Sequence, residues 1–321
     1  MSKFLKLIYN ELYKIYVRQS TWVMYILLAL IVLGGAILTT TFDDITTEYS
    51  DNWREELTQE NEKLLNQNTE MAENSGPEFT VEYNSGEIAK NNYYLEHDIR
   101  PLNYGAWQYV QENAGLLSFV SLFTIIIGAS VVASEFKWGT IKLLLIRPIS
   151  RTMILLSKFS AVLVFALFSL VFVMLSSLLI GGIFFGFEGI NPHIVLEKTE
   201  GFTYVPLIGE TLSAYGYNII NLVMMTTFAF MISTIFRNSS LAIGLGIFLM
   251  MGGSMVVGIF RDYDWAKYIL FANTDLKQYE TGNVLMEGMT LGFSITILIV
   301  YFIVFISLSW VFFNKRDVAG Q

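Results

Sequence analysis

Six stretches of this 321-residue chain, residues 22–41, 116–133, 159–185, 215–236, 241–260 and 291–313, contain no Asp, Glu, Lys, Arg or His. Each is close to the roughly 20 residues an α-helix needs to cross a hydrocarbon core of about 30 Å. The third exceeds that length and is expected to tilt or to extend past the bilayer. Composition agrees: 54% of residues are apolar and 15% charged, with a mean hydropathy of +0.51, the range of polytopic membrane proteins. The pattern predicts an all-α polytopic membrane protein with six transmembrane helices. The first apolar run begins at residue 22 and is a full bilayer long, so it reads as a retained span and not as a cleaved signal peptide.

The connectors set an expected orientation. Segments 1–21, 134–158, 237–240 and 314–321 together carry 12 Lys+Arg and 3 Asp+Glu, whereas the remaining connectors carry 8 Lys+Arg and 25 Asp+Glu over a much greater length. Basic residues concentrate in short cytoplasmic segments, which predicts cytoplasmic N and C termini in the cell membrane. The net charge of −8 then describes an outward face and implies no nucleic-acid partner.

Residues 3–18 place Phe4, Leu7, Ile8, Leu12 and Ile15 at helical spacing, with Lys3, Lys6, Asn10, Lys14 and Arg18 around them. This predicts an amphipathic helix in the membrane interface, in contact with lipid. Segment 134–158 carries Lys137, Lys142, Arg147, Arg151 and Lys158 against the single acid Glu135. Trp138 to Ile146 is long enough for two helical turns, Pro148 prevents their continuation, and Ser150 is placed to cap the next helix. A short surface helix over 138–146 is therefore expected.

An external domain is expected over 42–115. Residues 49–74, rich in Glu, Gln and Asn and free of Gly and Pro, predict a helix, with Trp53, Leu57, Leu64 and Met71 as an apolar stripe. Residues 79–83 alternate as a short strand would, and Tyr93, Tyr94, Tyr104, Trp107 and Tyr109 suit the outer interface. Segment 186–214 reads as a loop around Asn191-Pro192 and Pro206. Segment 261–290, with Trp265, Tyr268, Ile269, Leu270 and Phe271, reads as a re-entrant or surface-dipping element.

No G-x-x-x-x-G-K-[ST], H-E-x-x-H or G-x-S-x-G motif occurs, so a nucleotide site, a zinc-hydrolase site and a nucleophile elbow are not expected in the chain. Cysteine is absent, and His97 and His193 lie in predicted external segments, which leaves no metal site in view. The charge-free spans argue against a carrier driven by protons, which usually keeps an ionisable group at mid-membrane. Polar uncharged residues inside the spans, among them Ser169, Ser176, Ser177, Asn218, Asn221, Thr226, Thr227, Ser233 and Thr234, read either as interhelical hydrogen bonders or, at Ser176, Ser177, Asn218, Asn221, Thr226 and Thr227, as the lining of a pathway. Glycines Gly244, Gly246, Gly252, Gly253 and Gly258 suit close helix packing.

The ordered set Glu135, Gly139-Thr140, Leu143-Leu144, Pro148, Ser150-Arg151 and Lys158, between the second and third of six spans, resembles the signature of ATP-binding-cassette transporter permeases of the type-2 exporter kind. Asn10-Glu11-Leu12-Tyr13-Lys14, with Arg18 and Trp22, is similar to the entry to their first span. The resemblance implies a permease with no catalytic residues and no cofactor of its own, ATP and Mg being bound by a separate soluble ATPase. It implies that segment 134–158 is a coupling element, with Glu135, Lys137, Trp138, Gly139, Thr140, Lys142, Arg147, Pro148 and Arg151 near that subunit. It also implies pairing with a second permease, identical or paralogous, around a path for an amphiphilic cargo such as a peptide antibiotic, a drug or a lipid-like molecule. Two alternatives stay open: a membrane sensor with an external receptor domain, and an ATP-independent carrier or channel.

Overall fold

A computed structural model describes residues 3–41, 48–73, 77–140, 148–189, 191–199 and 201–315. Six helices among them are long and apolar enough to cross a membrane. They are α2 (Gln19–Thr41), α6 (Leu117–Lys137), α7 (Arg151–Phe184), α8 (Leu207–Phe236), α9 (Ser239–Phe260) and α12 (Leu291–Lys315). The amphipathic helix α1 (Lys3–Tyr16) precedes them. The Thr21 hydroxyl donates to the Ile15 carbonyl (2.6 Å) and the Trp22 indole to that of Tyr16 (2.9 Å), closing the corner between α1 and α2.

Local chemistry sets the helix ends. Ser150 accepts a hydrogen bond from the Met153 amide (3.2 Å), the N-cap expected for α7. Arg237 takes a left-handed conformation (φ 53°) at the end of α8, and the Asn238 side chain caps α9 through the Leu241 amide (3.1 Å). The two-residue turn between those spans, Arg237 and Asn238, thus closes a tight antiparallel pair.

Helices α6 and α8 are the innermost pair. The Ser233 hydroxyl donates to the Ala129 carbonyl (2.5 Å) and accepts from the Ala133 amide (3.2 Å). Gly128 brings the α6 backbone against Val162 and Thr226, where a Cβ would sit 3.5 Å from the Val162 side chain. Phe159, Phe165 and Phe230 fill the layer between α6, α7 and α8. Helices α9 and α12 are the outer pair, with Phe248, Met251, Met255 and Ile259 on one and Ile299, Val300 and Ile303 on the other left uncovered.

At the end of the bundle opposite α1, three expectations are corrected. Residues 79–83 are not a strand but the start of α4 (Glu78–Glu96), which packs antiparallel on α3 (Trp53–Glu73). Five alternating residues are too few to outweigh the 19-residue helix, which tertiary polar pairing supports. Asn61 is bonded to Asn91 (3.0 Å) and Asn92 (2.9 Å), and Asn84 to Asn68 (2.8 Å). Segment 186–214 is not a plain loop. It forms an antiparallel hairpin, β1 (His193–Lys198) with β2 (Gly201–Pro206), and α8 begins directly after it. Val195 docks under α4, its amide bonded to the Tyr94 hydroxyl (3.0 Å). The fourth span therefore starts eight residues before Tyr215, its Glu210 tolerated because Lys198 neutralises it (2.6 Å).

Helix α5 (Ala106–Glu112) and a 3₁₀ turn lead into α6, and the Tyr109 hydroxyl bonds the Val32 carbonyl of α2. Between α9 and α12 the chain folds back through a 3₁₀ turn (Asp264–Tyr268), α10 (Leu270–Asn273) and α11 (Gln278–Thr281). Phe271 covers Gly253, where a Cβ would overlap its ring. Asn273, fully buried, donates to the Lys267 (2.8 Å) and Ile269 (2.9 Å) carbonyls and accepts from the Ser294 hydroxyl (2.6 Å).

Lys198 also reaches Glu280 of α11 (2.9 Å), so one ammonium ties the hairpin, α8 and the fold-back segment together. The hydrogen bonds that Lys198 donates to Glu210 and then to Glu280 raise its pKa above the ordinary 10.5, and the same bond to Glu280 lowers that carboxyl below 4.5. A depressed carboxylate stabilises the fold above its unfolded pKa, and that contribution is lost as pH falls through the folded value. A raised lysine contributes below its unfolded value and loses it as pH rises through the folded one. The tether is thus at full strength around neutrality. With spin labels on Thr203→Cys and Thr281→Cys in this cysteine-free chain, the interlabel distance distribution is expected to be narrow at neutral pH. It should broaden in acid, as pH falls through the lowered pKa of Glu280 and that carboxylate protonates. Lys198→Met should give the broad distribution at both.

Candidate functional site

The residues with the most unusual environment lie at the end of the bundle that holds α1 and the connector between α6 and α7. Lys158, about two turns into α7, is 1% exposed. Its Nζ donates to Glu11 Oε2 (2.8 Å), Glu135 Oε1 (2.9 Å) and the Val131 carbonyl (3.3 Å). Lys14 joins the same carboxylates from the solvent side, at 2.9 Å to Glu11 and 2.8 Å to Glu135. The Thr140 hydroxyl donates to the second oxygen of Glu135. Two acids and two bases therefore balance in charge, and the buried ammonium has three acceptors, which a buried charge requires. Burial opposes the charge on Lys14, but the hydrogen bond to Glu135 and the charge of Glu11 outweigh it, and its pKa is raised.

The four members come from three pieces of chain: Glu11 and Lys14 from α1, Glu135 from the last turn of α6, Lys158 from α7. The connector leaves and re-enters the bundle through this cluster. Its flanks reach the other helix ends as well. Arg237, in the turn between α8 and α9, lies over the Phe136 ring at 4.2 Å, Arg18 lies 6.0 Å from the Trp138 ring, and Arg151 donates to the Asn314 carbonyl (3.0 Å) at the end of α12. Ends of all six spans are thus linked to residues 135–158 or to α1.

Within the connector the expected surface helix is not seen to start at Trp138. Trp138 caps the C-terminus of α6, Gly139 takes φ +70° and Thr140 folds back on Glu135. A left-handed glycine one residue past a helix is a stop signal. It turns Gly139 and Thr140 into the end of the second span. Lys142, Arg147 and the rest of 141–147 lie outside the described residues. Lys137 and Trp138 are exposed and Pro148 flanks the re-entry.

The polar residues inside the spans divide. Thr226 and Thr227 are fully buried and return their hydroxyls to the carbonyls four residues earlier (2.6 Å each). Ser177 is buried beside α8, and Ser176 bonds the Val173 carbonyl (3.1 Å). Asn218 and Asn221 instead line an open cavity of about 480 Å³ with Gln111, Tyr217, Ser254 and Lys277. The six are not one surface.

Glu11, Lys14 and Lys158 were not singled out as a site from the sequence. The signal was present: at about 100° per residue Glu11 falls between Leu7 and Ile15 on the apolar face of α1, the one acid on that helix.

Fold and junction together define a multi-pass α-helical membrane protein of six spans, in which a buried ionic cluster pins the second and third spans and the N-terminal helix together at one end. The chain belongs to the family described as protein of unknown function DUF2705, whose model matches residues 75–319. It is 42% identical over 321 residues to the uncharacterized protein YhcI of Bacillus subtilis (strain 168), covering 98% of this chain and 100% of that one. It is 35% identical over 213 residues to the uncharacterized membrane protein YdbK of the same organism, covering 65% of this chain and 82% of that protein.

Lys158→Met leaves two buried carboxylates facing Lys14 alone. Removing one partner of a buried ion pair costs about 3–5 kcal/mol, so the thermal unfolding midpoint in detergent should fall sharply. The Glu11→Gln, Lys158→Met combination, which leaves Lys14 facing Glu135 alone and restores the charge balance, should recover most of the loss.

Proposed function

We propose that this chain is the transmembrane permease subunit of an ATP-driven exporter, seated in the cell membrane with both termini in the cytoplasm. A separate soluble ATPase binds ATP and Mg and acts on the connector. The permease itself carries no catalytic residues. It pairs with a second permease, identical or paralogous, and moves an amphiphilic cargo.

One observation carries the reading: both ends of the connector are held in a single buried ionic junction, by Glu135 on α6 and Lys158 on α7, with α1 bonded to both. A soluble partner that displaces an exposed connector does mechanical work on the spans only if the attachment is stiff. Here the attachment is made of short charge-assisted hydrogen bonds out of water, the strongest kind available to side chains. Exposed Lys137 and Trp138 at its entrance offer a basic and an aromatic contact to that partner. The order of residues from Glu135 to Lys158, similar to that of type-2 exporter permeases, supports the same assignment. The concentration of basic residues at this end supports the cytoplasmic orientation. Asn218 and Asn221, on their cavity, are the residues we assign to the cargo path.

The chain purified from native membranes is expected to retain a soluble ATP-binding-cassette ATPase. Replacing residues 138–146 by a Gly-Ser segment of equal length should remove the ATPase while membrane insertion persists. A variant that inserts and still holds the ATPase refutes the coupling role. Native chain that brings down none favours the sensor or the ATP-independent carrier.

A further inference from the structure

The bundle end opposite the ionic junction carries a groove that none of the contacts described so far uses. It measures about 360 Å³ and runs between one face of α4 and the β-hairpin. Phe79, Glu82, Tyr83, Gly86, Glu87 and Lys90 supply the helical wall, at the three- and four-residue spacing of one continuous face. Glu197 and Phe202 stand opposite. Phe79 and Tyr83 are 77% and 60% exposed, large aromatic rings held open at the rim. Gly86 sits on the helical wall with nothing within 4 Å of where its Cβ would be, so the wall is hollow there. The lining charges do not balance. Lys90 is already paired with Glu87 (3.0 Å), and Glu82 and Glu197, both exposed, form no ion pair among the described residues.

Open aromatic faces beside two uncompensated carboxylates are complementary to one chemistry, a chain that presents ammonium or guanidinium groups together with apolar side chains. The carboxylates attract the cations and the rings accept both cation–π contacts and apolar side chains. The surroundings reinforce the choice, since the connectors on this side hold 25 Asp+Glu against 8 Lys+Arg and their summed field concentrates cations. We propose that this groove is the docking site for a cationic amphipathic peptide. Its role as capture of the exporter's cargo rests on the reading above; the binding itself rests on the groove alone.

The test uses the full chain in lipid nanodiscs without any ATPase, so failure of the coupling assignment leaves it intact. The probe is a fluorescein-labelled 14-residue peptide of leucine and lysine, with a leucine–glutamate counterpart as control, read by anisotropy against empty nanodiscs. Saturable binding of the lysine peptide alone is expected. Glu82→Gln with Glu197→Gln should weaken it roughly tenfold, two exposed ion pairs at up to about 1 kcal/mol each, and raised salt should weaken the native protein similarly. Gly86→Leu should plug the groove and abolish binding. It also replaces a helix-interior glycine by a stronger helix former, so loss cannot be assigned to unfolding. Equal binding of the glutamate peptide, or unchanged affinity in both variants, overturns the proposal. So does a Gly86→Leu variant whose only defect is a smaller assembly in size-exclusion chromatography, which would make a second copy the occupant.

Discussion

A lysine ammonium cannot be withdrawn from water unless other charges and carbonyls replace the solvent, and Lys158 is withdrawn almost completely. Its three acceptors come from two other helices, so the requirement for solvation dictates where those helices lie. Helix α1 must run across the ends of α6 and α7 to bring Glu11 within 2.8 Å, and the last turn of α6 must extend beyond its charge-free stretch to present Glu135. Lys14 then offsets the second carboxylate from the rim. An apolar residue of similar size at position 158 would satisfy packing as well, and buried ion networks are often no more stabilising than such replacements. What the cluster adds is register: spans of Leu, Ile, Val and Phe slide past one another with little penalty, and a four-charge junction admits one alignment.

The two ends of the molecule are held by different physics. At the connector end, ions and cation–π contacts join short turns. At the other end the α3–α4 hairpin is held by asparagine pairs and by the Tyr94–Val195 contact, and a single lysine, Lys198, gathers the hairpin, α8 and α11. Neutral amide pairs are individually weak, about 1 kcal/mol net each, whereas the Lys158 cluster is charge-assisted and dry. Between the ends, the Ser233 bridge to Ala129 and Ala133 and the close approach at Gly128 lock α6 to α8. The middle of the bundle is therefore held by direct helix–helix bonding, and the far end by neutral amide pairs and the Lys198 tether.

Much of this was legible in the sequence because bilayer spanning imposes length and composition directly. Apart from the terminal residues Leu116 and Phe185, all six charge-free runs lie within the six long helices, and Ser150 caps α7 as its position between Pro148 and an apolar run implies. The limits were equally physical. Counting charges ended the second span at residue 133 and began the third at 159, because a charge normally marks the membrane boundary. Glu135 and Lys158 neutralise each other across 2.9 Å, so both helices continue through them. The same cancellation between Lys198 and Glu210 hid the first turns of α8. Residues 79–83 alternate like a strand, but strand patterning over five residues carries less than the asparagine pairing that α3 offers across the hairpin. Thr226 and Thr227 looked like pathway polarity, yet a threonine hydroxyl in a helix is satisfied by its own backbone, whereas Asn218 and Asn221 carry amides that a helix cannot fully satisfy.

Stiffness decides how such a molecule can convert a push into movement. Glu135 and Lys158 move together because they share one buried bond network, and α1 moves with them. Ser233 couples α8 to α6, and the turn of Arg237 rides on Phe136. A force on the connector therefore finds no soft joint between α6, α7 and α8 and displaces them as one body. Under the proposed function, alternating access then arises between two such bodies, one in each permease, and not by rearrangement within one. The charge-free interior is consistent with that division of labour. Spans that need not bind a driving ion have no use for an ionisable group at mid-membrane, and the charges of this chain are free to collect at the two ends, where under the proposed function one set holds the lever and the other faces the cargo.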